Sequence, residues 1–348
     1  MDKTKPIFVT GGTGYIGSWV VKNLLEDGYT VNLTVRDKTR KEKFEHLQNI
    51  ADATTGKLEL FEADLLVDGS YKEAMKDCEV VFHMASPFMI HGIKDPQKQL
   101  VDPALKGTSN ILNTVNETET VKRVVLTSSV VSIYGDAVDA EKVPGGIFTE
   151  SIWNTTSTIK NKPYPYSKVM AEIEAWKISE EQSRWNMVVI NPGFVMGPSL
   201  TANSDSASIG FMLDMVNGKN KMGVPVLEFG MVDVRDIAKA HIKGAKLEKA
   251  NGRNILVNTS ITMLEFANIL RDKYGDTYPL PKSLLPKFML YLVGWTQGIS
   301  WDFVSKNVGY PLKFDNSKSK NELGMDYIPI EKTLSDHLEQ LKEFGLVK

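Results

Sequence analysis

The chain has 348 residues, 24% of them charged, and a formal net charge of -2, a balance that gives no electrostatic attraction for nucleic acid or an acidic membrane. It contains no apolar run of about eighteen residues, so no spanning helix is expected, and its length accommodates one large domain or two smaller ones with ample core. The single cysteine, Cys78, excludes an intrachain disulfide and suits a reducing cytosol, and the five histidines are scattered without metal-ligand spacing.

Residues 1–5 pass straight into a predicted strand and leave no room for a signal peptide, so a cytoplasmic location is expected. Pro6-Ile7-Phe8-Val9-Thr10 reads as the first buried strand of a parallel sheet. It runs into Gly11-Gly12-Thr13-Gly14-Tyr15-Ile16-Gly17. Residues 18–26 then form an amphipathic helix capped by Gly28, and residues 30–35 a second strand. In this context the spacing G-x-x-G-x-x-G binds a dinucleotide. Residues without a Cβ let the backbone turn tightly and approach a pyrophosphate at the helix N-terminus. Gly11, Thr13, Gly14, Tyr15, Ile16 and Gly17 are therefore cofactor-binding candidates.

The end of the second strand selects the nucleotide. An acid there accepts from a ribose hydroxyl, whereas an arginine meets a 2′-phosphate. The chain has Arg36, then Asp37, then a basic run through Lys43. A guanidinium matches phosphate oxygens with its fork of donors. Arg36 is the expected 2′-phosphate contact and Lys43 a second candidate; the other reading of the run is a solvated basic loop.

A third strand over 57–62 ends in Ala63-Asp64-Leu65, where Asp64 either accepts from the adenine amino group or caps the next helix. The fourth strand, 79–84, ends in Ala85-Ser86-Pro87. Ligands of an open parallel sheet bind outside the carboxyl ends of its strands. That rule puts Ala85 and Ser86 at the cofactor and substrate cleft, with Phe88 and Met89 beyond them. A helix over 103–117 precedes a fifth strand, 121–126, which runs into Thr127-Ser128-Ser129. A carbonyl about to receive hydride needs donors on its oxygen as charge develops, and a serine hydroxyl with a phenol supplies two. Alone, these serines would merely cap the strand end. No Gly-x-Ser-x-Gly elbow points to a hydrolase.

Tyr164-Pro165-Tyr166-Ser167-Lys168 opens a run of helix formers. Tyr164 and Lys168 share a helical face at i and i+4. The ammonium is expected to lower the phenol pKa from its reference of about 10, so that it exchanges a proton near neutral pH. A sixth strand over 185–190 is left by Asn191-Pro192-Gly193-Phe194-Val195-Met196-Gly197-Pro198. Residues 199–231 enter a second lobe, residues 254–257 return to the central sheet, and from about 261 the chain is largely helical. The apolar stripe 289–295 reads as core.

With these motifs in place the chain resembles the extended short-chain dehydrogenase/reductase family over nearly its whole length. The similarity lies in Thr10-Gly11-x-x-Gly14-x-x-Gly17, Asp64-Leu65, Thr127-Ser128-Ser129, Tyr164-x-x-x-Lys168 and Asn191-Pro192-Gly193. Within that family it is most similar to the dihydroflavonol 4-reductase group, which also contains cinnamoyl-CoA reductases and microbial aldehyde and ketone reductases. Thr34-Val35-Arg36-Asp37, the stretch from Val232 to His241, and Phe314-Asp315-x-Ser317-Lys318 before Glu322-Leu323-Gly324 carry that narrower likeness.

The resemblance implies an α/β Rossmann-type doubly wound parallel sheet with a smaller, sequence-interleaved substrate-binding lobe. The NADP-binding domain would span 1–198 with return segments near 232–260, and the lobe 199–231 and 261–348. It implies Ser129, the second serine of its pair, as catalytic, Tyr164 as the proton donor in reduction, and Lys168 as holding the nicotinamide ribose and keeping the tyrosine acidic. Arg36 and Lys43 occupy the positions that meet the 2′-phosphate in NADPH-dependent members, and Pro192, Gly193 and Val195 lie beside the nicotinamide. Ala85, Ser86, Leu65 and Thr127 complete the NADP(H) set.

The substrate pocket would be drawn from Ser86, Phe88, Ser129, Ile133, Tyr134, Tyr164 and Phe194, whose apolar members favour an aromatic or aliphatic small-molecule carbonyl. A monomer or homodimer is expected. Two other readings stand beside a carbonyl reductase: a nucleotide-sugar epimerase or dehydratase, and a non-catalytic cofactor sensor. The presence of Ser129, Tyr164 and Lys168 together argues against the sensor.

Overall fold

The computed structural model describes residues 1–86, 93–202, 206–294 and 298–347. Its first half alternates strand and helix: β1 (Ile7–Thr10), α1 (Tyr15–Glu26), β2 (Thr30–Val35), α2 (Glu45–Asp52), β3 (Lys57–Glu62), α3 (Lys72–Met75), β4 (Val80–His83), α4 (Asp102–Glu117) and β5 (Arg123–Thr127). Then follow β6 (Ile147–Phe148), α5 (Pro163–Glu180), β7 (Asn186–Pro192), β8 (Phe194–Met196), α6 (Ala207–Val216), β9 (Glu228–Asp233), α7 (Val234–Lys246), β10 (Gly252–Leu256) and β11 (Thr259–Thr262). The chain closes with α8 (Met263–Tyr274), α9 (Lys287–Val293), α10 (Trp301–Asn307), β12 (Lys313–Phe314), α11 (Ser317–Asn321) and α12 (Ile330–Glu343).

Seven strands form one sheet in the order β10-β7-β5-β4-β1-β2-β3, and every neighbouring pair is parallel. The order reverses between β1 and β4, and a ligand crevice opens at such a switch point. A strand buried on both faces reads as a continuous apolar run, and β1 shows why. Ile7 and Val9 pack into the core on one face of the sheet with Val21, Leu24 and Leu33, while Phe8 packs on the other with Tyr71, Met75 and Ile111. Each such fully buried side chain contributes roughly 1.5–3 kcal/mol.

After β7 the chain leaves this sheet for a second one, β11-β9-β8, returns for α7 and β10, and leaves again. The small sheet packs with α6, α8 and α12 around a separate core that includes Met212, Met231, Phe266 and Leu338. The second lobe is therefore interleaved in sequence with the Rossmann sheet. Its helices are locally specified: α8 opens on a capping box between Thr262 and Glu265.

The stripe 289–295 is not core as the sequence suggested. Among its described residues Leu290 is buried against Val304 and Val308, but Leu292 is 67% and Met289 38% exposed. A seven-residue helix docked on one neighbour covers one side only. No described helix is long and apolar enough to cross a membrane.

Candidate active site

The crevice is built on the carboxyl ends of β1, β2, β4, β5 and β7. At the end of β1, Gly11 takes a φ of +68°, and a Cβ there would stand 2.6 Å from the Ala85 backbone nitrogen at the end of β4. A Cβ on Gly17 would lie 2.1 Å from the Gly11 carbonyl oxygen, so no other residue lets α1 approach its own loop this closely. A Cβ on Gly14 would meet only that same oxygen, at 3.3 Å, and otherwise project into open space. Gly14 caps α1, and the opening N–H groups of the helix thus have no capping side chain from it and no acid in their own turn. Those donors suit a pyrophosphate.

Thr13 and Ile16 are half-buried in the loop. Tyr15 reaches further: its hydroxyl donates to the Gly197 carbonyl at 2.5 Å, fastening the glycine loop to the exit of β8. Arg36, at the end of β2, is exposed and makes no ion pair among the described residues. Asp37 does not face it as an acceptor alone: its carboxylate takes the Thr39 amide at 2.8 Å and the Thr39 hydroxyl at 2.5 Å, closing a local turn. Lys43 is half-buried just before α2. The Asp64 carboxylate likewise accepts the Leu66 amide at 2.8 Å, and Leu65 packs near Gly107 of α4.

Half-buried Ala85 and Ser86 follow β4. Thr10 Oγ1 accepts from the Met84 and Ala85 amides at 3.2 and 3.1 Å, so its own hydrogen goes to His83 Nδ1 at 2.9 Å. Burial, with Lys168 adding to it, pushes His83 down to about 3, which keeps it neutral beside that lysine. A matching pair lies under β5. His241 Nδ1 faces the Ile237 carbonyl at 2.8 Å and so carries the proton, and Thr127 Oγ1 donates to Nε2 at 2.7 Å. The Thr127 hydroxyl is therefore committed to His241.

The serine pair divides sharply. Ser128 is buried and donates to the Glu172 carboxylate. Ser129 is half-buried, and its Oγ accepts from the Val131 amide at 3.3 Å while its own hydrogen has no acceptor among the described residues. Tyr164 sits in the first turn of α5, with Lys168 Nζ 6.0 Å from its ring centroid.

The expected acidification of the tyrosine is not found. Burial raises the phenol well above its ordinary range, and burial also pulls Lys168 down to about 8, with Glu172 opposing that fall. A charge at this distance does not outweigh desolvation of the phenol. Tyr164 is consequently protonated at neutral pH.

Pro192 is buried at the end of β7, and Gly193 donates to the Leu256 carbonyl at 3.0 Å. Val195 is half-buried, with its carbonyl accepting from Ser208. Phe194 meets Phe211 edge-on and lies tilted against Phe229, each with ring centroids 5.3 Å apart. Tyr134 is half-buried between Phe148 and Phe314, at 5.1 and 5.6 Å. Ile133 departs from its expected pocket role: it is 1% exposed and packs with Val130, Phe148 and Ile255, because it follows a short helical turn that points it inward. Phe88 and Met89 lie outside the described residues.

The model of the NAD dependent epimerase/dehydratase family matches residues 7–258. The chain belongs to that family. Within it the chain is an oxidoreductase of the extended short-chain group, similar to the cinnamoyl-CoA reductase CAD2 of Medicago truncatula, at 37% identity over 97% of this chain and 95% of that one. It is also similar to tetraketide alpha-pyrone reductase 1 of Arabidopsis thaliana, at 33% identity over 99% and 98% of the two chains. Among solved structures, yeast methylglyoxal/isovaleraldehyde reductase Gre2 complexed with NADPH superposes with a TM-score of 0.80 at 26% identity, covering 98% of this chain and 100% of that one.

Sequence reasoning missed a buried polar cluster of this family member behind the serines, made by Glu172, Arg253, Ser132 and Asn191. The available signal was a glutamate four residues past Lys168, read only as a helix former. Arg253 enters from β10 and leaves no local signal.

Proposed function

We propose that this chain is an NADPH-dependent carbonyl reductase that turns an aldehyde or ketone into an alcohol, acting on aromatic, aliphatic or flavonoid-like carbonyl compounds. The observation that carries the reading is the serine pair: Ser128 is spent on Glu172, and Ser129 at the strand end has no acceptor for its hydrogen among the described residues. Similarity to named reductases over nearly the whole chain supports it.

Bound NADPH supplies the hydride. Tyr164 Oη gives its proton to the carbonyl oxygen, and the Ser129 hydroxyl donates to the same oxygen as charge develops there. A phenol kept protonated by burial is the form that reduction consumes. Lys168, 6.0 Å from the Tyr164 ring centroid, would hold the ribose and steady the phenolate left behind. The glycine loop at Gly14 would hold the pyrophosphate, and Arg36 with Lys43 the 2′-phosphate. The interleaved lobe, residues 199–231 and 261–348, would close over the substrate with Phe194 on its wall.

The test follows nicotinamide absorbance with a panel of aromatic and aliphatic aldehydes and ketones. Oxidation of NADPH by several apolar carbonyls is expected, and no turnover with any of them would overturn the reading. Arg36→Ala is expected to raise the KM for NADPH by about 10- to 100-fold, the worth of a charge-assisted phosphate contact, and to leave NADH within about twofold. An equal loss for both cofactors would remove Arg36 from the phosphate site.

A further inference from the structure

Glu172 lies one helical turn beyond Lys168 and two beyond Tyr164, on the same face of α5. It is 1% exposed. A carboxylate this far from water stays charged only when its lone pairs are met. Oε1 accepts from Arg253 Nε at 2.6 Å. Oε2 accepts from the Ser128 hydroxyl, from Ser132 Oγ at 2.6 Å and from Asn191 Nδ2 at 3.1 Å.

Two of these partners also reach the main chain of Ser129. Ser132 Oγ stands 2.7 Å from the Ser129 carbonyl oxygen but has one hydrogen to share between it and Glu172, whereas Asn191 Nδ2 has two and reaches both, standing 3.3 Å from that carbonyl. Arg253 seals the cluster, with its guanidinium on Ser132 Oγ and on the Glu150 and Ile152 carbonyls, stacked 3.9 Å over Trp153.

We propose that Glu172 is a positioning residue of the reduction, fixing through Asn191 the main chain that presents Ser129 and placing a carboxylate one helical turn from Lys168 on the same face of α5. The inference rests on the reading of Ser129, Tyr164 and Lys168 as the reaction centre. The titratable groups that face Lys168 are Glu172 and Tyr164 from its own helix and His83 from β4, the last held neutral by burial. Those that face Glu172 are Arg253 from β10 and Lys168. Among the described residues Glu172 is thus the carboxylate that opposes the fall burial imposes on Lys168.

Glu172→Gln keeps the shape and removes the charge. Three quantities test it: kcat, the KM for a carbonyl substrate across about pH 6 to 9, and the NADPH Kd from fluorescence quenching. The expected result is a loss of kcat of about 10- to 100-fold with the NADPH Kd held within about twofold. The alkaline limb of the kcat profile should move about one pH unit toward acid, because losing a nearby negative charge lets the lysine and the phenol lose protons earlier. Glu172→Asp, which retains the charge, should return the limb to its original position.

Where the single variant does not fold because Arg253 is left unpaired, Glu172→Gln with Arg253→Met removes both charges and should move the limb in the same direction by a smaller step, because the lost guanidinium acts the opposite way. An unmoved limb in whichever of these variants folds, beside an inactive Tyr164→Phe, overturns this inference alone. Retained turnover in Tyr164→Phe overturns the reductase reading beneath it.

Discussion

Tyr164→Phe is expected to lower kcat by about 10²- to 10⁴-fold, the usual worth of a positioned general acid, while the NADPH Kd stays within about twofold. The substitution deletes one oxygen and leaves the ring that Lys168 approaches at 6.0 Å, so the first turn of α5 keeps its packing. The phenol's work falls on the substrate oxygen, and the glycine loop at Gly14 is untouched. Burial holds Tyr164 protonated well past neutral pH. The wild-type reduction rate should therefore be flat through neutral pH and fall only as Lys168, near 8, loses its proton. Steady-state rates and a fluorescence titration of the variant decide the matter, and substantial turnover without the phenol would remove Tyr164 from the reaction.

The parts of the fold that could be read from the chain are those with a local cause. The strands at 30–35 and 57–62 are bounded by turn signals, and both have the expected limits. α1 begins at Tyr15, three residues before the expected start, because Gly17 lies inside its first turn. Glycine disfavours a helix interior, but here its missing Cβ lets the helix meet the loop.

What was hidden depends on burial and on partners distant in sequence. The spacing of Tyr164 and Lys168 announces that they meet, but not how far each is taken from water, and desolvation sets the direction of both pKa values. The spacing of Ser128 and Ser129 likewise gives no clue that one is committed to Glu172. The partner of Glu172 is 81 residues away, beyond any pattern on a single helix. Ile133 illustrates the opposite error: a residue near the cleft in sequence was turned inward by a single helical turn.

Arg253→Met is expected to destabilise the protein by about 3–5 kcal/mol, the cost of leaving a buried carboxylate without its partner. The pair is 7% and 1% exposed, so water cannot step in for the guanidinium. Three further hydrogen bonds go with it, to Ser132, Glu150 and Ile152, as does the stack over Trp153. Glu172→Gln introduced alongside should recover much of the loss, because a neutral amide tolerates this environment and the methionine stem fills the guanidinium's place. A buried ion pair that two neutral side chains replace at little cost is not kept for stability. Such a recovery would assign the pair's role to the carboxylate's bond with Asn191, which also reaches the Ser129 carbonyl, and to its place one turn from Lys168. Calorimetric unfolding of the single and double variants separates the possibilities. A single variant within about 1 kcal/mol of the parent would mean that Glu172 is held by its serines and Asn191 alone, and that Arg253 is a packing residue.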